Sequence, residues 1–172
     1  AKWHIHVVVD DGTAAPVTGN QTDRTMNWYG EVTVGPATID WGNVDAGLAF
    51  DEDTDSEESG ITVTYVSNGD YSEKIAATAT WDAAVGEINA SLDADGTPSS
   101  ANSFSLKADD TGTLSSAVVV NTTSSYTDID TGGTITGESG NAEDANSVWL
   151  ALNDTFVIDV YTGAIYYQIA NR

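Results

Sequence analysis

The chain has 172 residues, with 27 acids, five bases, two histidines and no cysteine, for a net charge of −22. Five bases cannot build a cationic surface for nucleic acid or for an anionic membrane. The absence of cysteine excludes a disulfide framework, a thiolate metal site and a cysteine nucleophile.

Apolar residues recur with period two, in runs separated by Gly, Asn, Asp and Ser, and no segment shows a 3.6-residue period. The first run is Lys2 to Val9. Alternation puts Trp3, Ile5, Val7 and Val9 on one face and Lys2, His4, His6 and Val8 on the other. Residues 10–25 have no hydrophobic period and read as a loose linker. The sequence therefore predicts an N-terminal extension strand (1–9), a linker (10–25) and one domain (26–172). The strand has two destinations. It folds back into its own sheet, or it fills a gap in a neighbouring copy by β-strand addition, in a head-to-tail contact that produces a filament or tube. A start at Ala1, directly on a strand, reads as that of a mature chain after leader removal.

Further strands are predicted at Met26 to Val34, Ala37 to Trp41, Ile61 to Val66, Lys74 to Trp81, Val85 to Leu92 and Phe104 to Lys107. Others follow at Leu114 to Val120, Ser125 to Ile129, Val148 to Leu152, Phe156 to Val160 and Ala164 to Ile169. Short strands at this spacing predict an all-β sandwich or barrel. Asn68-Gly69 and Thr162-Gly163 read as hairpin turns. Gly132 to Asn146 reads as a surface loop. Ile61, Val63 and Tyr65 share a face with Thr62 and Thr64 opposite, whereas Val148 to Leu152 and Ile165 to Ile169 are apolar on both faces and read as central strands.

Asp51-Glu52-Asp53-Thr54-Asp55-Ser56-Glu57-Glu58 places six carboxylates in eight residues. Asp51, Asp53, Asp55 and Glu57 are candidate Ca²⁺ ligands, because hard cations take six to eight oxygens. Ser56 and Thr62 stand where an EF-hand loop needs Gly and Glu, so the pattern is not an EF-hand; the alternative is a solvated acidic loop. Asp93-Ala94-Asp95-Gly96, Asp109-Asp110-Thr111-Gly112 and Asp128-Ile129-Asp130 read as turns in which Asp bonds its own backbone. His4 and His6 lie about 7 Å apart by strand rise and lack an identifiable third metal ligand. Asn20, Asn89, Asn121 and Asn153 head N-glycosylation sequons. No nucleophile elbow, phosphate loop or HExxH is present, and both histidines lie at the N-terminus, so no catalytic residue is assigned and the chain is read as a non-enzyme. Trp28-Tyr29, Trp41, Trp81 and Trp149 are read as sandwich core ahead of a sugar-stacking platform.

Ile39-Asp40-Trp41-Gly42-Asn43-Val44-Asp45-Ala46-Gly47, then Ile61-Thr62-Val63-Thr64-Tyr65-Val66-Ser67-Asn68-Gly69-Asp70, and finally Tyr161-Thr162-Gly163-Ala164-Ile165-Tyr166-Tyr167-Gln168-Ile169-Ala170-Asn171 resemble the opening and closing strands of immunoglobulin-like sandwich modules of secreted archaeal and bacterial surface proteins. Trp41 replaces the usual Phe, and an acidic insert precedes Ile61. The layout is similar to donor-strand surface polymers such as archaeal bundling pili and camelysin-type biofilm fibres. The resemblance implies an antiparallel sandwich, immunoglobulin-like or jelly-roll-like. It also implies an extracellular structural subunit that polymerises with itself through Trp3, Ile5, Val7 and Val9. Bound Ca²⁺ and glycans are expected as accessories, and nucleic acid and membrane insertion are not. The alternative is a calcium-dependent carbohydrate- or surface-binding module of an adhesin, which predicts exposed tryptophan.

Overall fold

A computed structural model describes residues 2–9, 17–25, 27–52, 55–129 and 139–171, and of 2–9, 17–25 and 139–145 the backbone alone. The fold is all-β, as the period-two pattern requires. Strand β1 (Lys2–Val9) pairs antiparallel with β2 (Val17–Thr25), and the two form a sheet of their own. Residues 17–25 thus differ from the loose linker expected there. Ladder bonds come from the backbone, so a segment with Val and three Thr can pair without an apolar period. The register shifts between Trp3 and Ile5, where β2 contributes one more residue than β1. Residues 10–16 lie outside the described residues.

The remaining strands make two sheets. The larger begins at an end strand, β3 (Gly30–Gly35), which pairs with β4 (Glu57–Ser67). A smaller sheet is centred on β5 (Tyr71–Ala77). The chain then returns to the larger sheet with β6 (Thr80–Ala83), β7 (Ala90–Leu92), β8 (Ser103–Asp109) and β9 (Val118–Val119), which pairs with β8. It crosses again for β10 (Asn121–Thr122) and β11 (Thr127–Asp128), both paired with β5. Strand β12 (Ser139–Leu152) sits between β4 and β8, β13 (Tyr161–Thr162) pairs with β6, and β14 (Ile165–Asn171) runs along the whole of β5. Most pairs are antiparallel. Two are parallel, β7 with β8 and β10 with β5, so the sheets are mixed where the sequence predicts antiparallel ones.

Ile61, Val63 and Tyr65 of β4 face the core and Thr62 and Thr64 do not, as alternation predicts. In β12, Val148, Leu150 and Leu152 join the core cluster and Trp149 and Ala151 are buried as well, so both faces are covered. Strand β14 departs from expectation: Tyr166 and Gln168 are exposed, and it stands at the end of its sheet. The expected loop 132–146 also gives way, because its second half, from Ser139, is the first half of β12. That stretch holds to β4 with three register shifts, again through backbone bonds that no side-chain pattern announces.

The expected hairpin turns do something else. Asn68-Gly69 carries the chain from β4 in the larger sheet to β5 in the smaller, and Thr162-Gly163 carries it from β13 to β14. The first corner is pinned by Asn68: its Oδ1 accepts from Tyr29 N at 2.8 Å and its Nδ2 donates to Asn27 O at 2.9 Å. Between the sheets, Trp81 stacks on Phe104 (4.2 Å between centroids) and lies 5.9 Å from Trp41.

Candidate binding cleft and the N-terminal hairpin

The two sheets are not closed along one side. Strands β3 and β14 converge at Gly30 and Ile169, where a Cβ on Gly30 would stand 2.6 Å from Ile169 Cδ1. A cleft of about 750 Å³ is bounded by the other ends of these strands, at Val34 and at Ile165 and Tyr167. Its floor is the apolar face of the larger sheet, with Ile61, Val148, Leu150 and Leu152. Ile39, Trp41 and Val44 also line it, from a segment with no strand in it, although Ala37 to Trp41 reads as one. Asp40 accounts for the difference: its Oδ1 accepts from Gly42 N at 2.8 Å, and Gly42 takes φ +68°, so the chain turns instead of extending. The volume falls within the few hundred to about 1,000 Å³ usual for binding clefts.

Phe156 to Tyr161 form the last wall, and Phe156 to Val160 too are not a strand despite their pattern. Side chains hold this segment instead. Buried Asn102, in the left-handed region at φ +54°, accepts from Val157 N at 2.9 Å and donates to Asn89 O at 3.0 Å. Asp159 accepts from Gly86 N at 2.5 Å and Val160 N at 2.7 Å. Those bonds from Gly86 and Val160 hold its carboxyl below the usual carboxylate range. Neither Asn102 nor Asp159 is singled out by the sequence; the one available signal is an Asn and an Asp inside otherwise apolar or turn-rich stretches. Replacing Asn102 by Ala is expected to cost about 1–3 kcal/mol, since it leaves buried backbone groups unpaired, and Asn102→Gly, which keeps the backbone conformation, should cost as much. Denaturant unfolding checks this; a null effect would show that the amide bonds do not hold the wall.

Deep in the cleft wall, burial and the neighbouring Glu73 push the Tyr167 hydroxyl far above its ordinary pKa. Burial, with Asp40 adding to it, raises Glu58. The indole Nε1 of Trp41 and of Trp81 and the Tyr167 hydroxyl are buried without a hydrogen-bond partner among the described residues.

The other candidate residues stand elsewhere. Trp3, Ile5, Val7 and Val9 lie on β1, and their side chains, with those of His4, His6 and Asn20, are outside the described ones. Asp51 and Asp55 are exposed at the insert, Glu57 opens β4 opposite Trp149, and Asp53 lies outside the described residues. Among the described residues no group of three or more metal-ligating side chains converges. Glu52 of the insert accepts from Leu114 N at 3.0 Å. Asn89 is exposed and donates to Asp82. Asn121 and Asn153 are half-buried, their amide nitrogens donating to Thr127 Oγ1 and to Pro98 O. The turn reading of the Asp pairs agrees with the structure at Asp95, which accepts from Thr97 N, and at Asp109, which accepts from Thr111 N. No family model matches the chain, and neither does any curated protein or solved structure.

Proposed function

We propose that the chain is an extracellular structural subunit that assembles head to tail, each copy lending its N-terminal strand to the cleft of the next. The apolar cleft carries the reading. It opens between the ends of β3 and β14, each of which is the end strand of its sheet. A strand entering there would gain backbone ladder bonds and cover the floor formed by Ile61, Val148, Leu150 and Leu152. Strand β14 offers such an edge, whereas β12 is already paired on both sides. The donor is available because β1 and β2 pair with each other and belong to neither sheet of the body. The resemblance to donor-strand polymers supports the same reading. A carbohydrate-binding module would present tryptophan to solvent, but among the described side chains Trp28 and Trp41 are half-buried and Trp81 and Trp149 buried.

Size-exclusion chromatography and negative-stain imaging of the full chain and of one lacking residues 1–25 test the proposal. The full chain is expected to form elongated polymers and the truncated chain to remain a folded monomer. Unchanged polymers from the truncated chain would sink the idea.

A further inference from the structure

At the mouth of the cleft the fold displays an apolar crown. Ile158 is 100% exposed, Val85 91% and Val160 66%, with Ile88 and Val157 beside them. Single exposed apolar residues are ordinary on a protein surface. These five sit on two loops, 84–89 and 157–160, that are fastened together. The Asp159 carboxylate accepts from Val85 N, Gly86 N and Val160 N, Ala84 N donates to Val160 O, and Asn102 bridges Ile88 O and Asn89 O to Val157 N. The crown is thus fixed in place before anything covers it, which lowers the ordering cost of a contact.

Charge decides what can cover it. Residues 26–172 hold 24 of the 27 acids and three of the five bases, a net charge of −21, and Glu87 and Asp159 belong to the crown's own loops. Body against body would bring two such surfaces together. The strands β1 and β2 are the exception: they carry Lys2 and Arg24 against Asp23 alone, a net charge of +1, with His4 and His6 in addition. They are also rich in apolar residues, from Trp3 to Val9. We infer that the crown is the landing site for the β1–β2 hairpin of a second copy, which it captures at the mouth of the cleft. The inference rests on the head-to-tail reading above and carries the contact beyond the cleft wall formed by Val157, Ile158 and Val160 to Val85 and Ile88, which stand outside the cleft lining.

The cysteine-free chain makes a clean test. The full-length Val85→Cys variant, whose label stands outside the cleft lining, is labelled with a photo-crosslinker, and unlabelled and ¹⁵N-labelled copies are mixed, assembled and irradiated. Mass spectrometry is expected to find crosslinks to residues 1–25 of the other isotopic copy. Crosslinks confined to body peptides, or normal assembly with none, overturn the inference and leave the head-to-tail reading standing. In parallel, Ile88→Ser and Val85→Ser, both outside the cleft lining, are each expected to raise the concentration needed for assembly about ten- to hundredfold, the worth of one aliphatic side chain. Assembly at the unmodified concentration overturns the inference alone. Failure of the unmodified chain to assemble defeats the head-to-tail reading, and the inference with it.

Discussion

Gly163→Ala is expected to destabilise the fold by about 3 kcal/mol, the upper end of overpacking costs, which corresponds to about 6–12 °C in Tm for a chain of this size. Gly163 lies where the chain leaves β13 for β14, and the Trp81 ring rests directly on it. A Cβ there would stand 1.9 Å from Trp81 Cδ1 and 2.1 Å from its Nε1. One of the two must move, and neither is free to. Trp81 is 8% exposed and stacked on Phe104, with Trp41 nearby. The backbone at 163 is held between two ladders, β13 on β6 and β14 on β5. The exposed neighbour Thr162→Ala is the control and should stay within about 0.5 kcal/mol. Combining Gly163→Ala with Trp81→Phe tests the mechanism, since the smaller ring makes room and the two costs should then fall short of their sum. Strict additivity in denaturant unfolding would show that the ring is not what the methyl meets.

The same glycine shows what sequence can and cannot specify. Period-two alternation correctly places Ile61, Val63 and Tyr65 inward and covers both faces of the strand at Val148 to Leu152, because burial is written in side chains. It does not say which strand pairs with which. Asn68-Gly69 and Thr162-Gly163 have the chemistry of hairpin turns, yet both are corners between sheets. A tight turn needs the same residues whether the next strand returns beside the last or crosses to the opposite layer. Strand β2 and the first half of β12 escape notice for the opposite reason, as ladder bonds require no apolar pattern. The cleft is less legible still. Val34, Ile61, Leu150 and Ile165 come from four strands, and their meeting depends on two end strands diverging. Asn102 and Asp159 are invisible in advance because their partners, apart from Val160 beside Asp159, lie 13 to 74 residues away.

Asp109 should be the carboxylate whose loss the fold feels most. It is 1% exposed, and its Oδ2 accepts from Thr111 N and Thr113 N at 3.0 Å and from Thr111 Oγ1 at 2.5 Å. Asp109→Ala strands those donors at the end of β8 and is expected to cost about 2–4 kcal/mol. Asp109→Asn keeps an acceptor but loses the charge, and should cost about half as much. The pH dependence separates the two effects. Burial pushes the Asp109 carboxyl up, but the bonds from Thr111 and Thr113 outweigh it and hold the folded group below the usual range. A carboxyl lowered on folding adds stability that is complete above its unfolded value, about 3.9, and disappears as pH falls through the lower folded value. Asp93, lowered by its bonds from Ser99, behaves alike, while Glu58, raised by burial, is relieved by acid. Acid also removes the repulsion among 27 carboxylates, but that change is common to both proteins. The difference between them isolates the one group. Unfolding midpoints of the native chain and Asp109→Asn, compared from pH 7 to pH 3, should stay separated by a constant gap down to about pH 4 and converge below it. A gap that persists unchanged at pH 3 would mean that the Asn variant suffers from its shape, and that the charge at Asp109 contributes nothing to the turn.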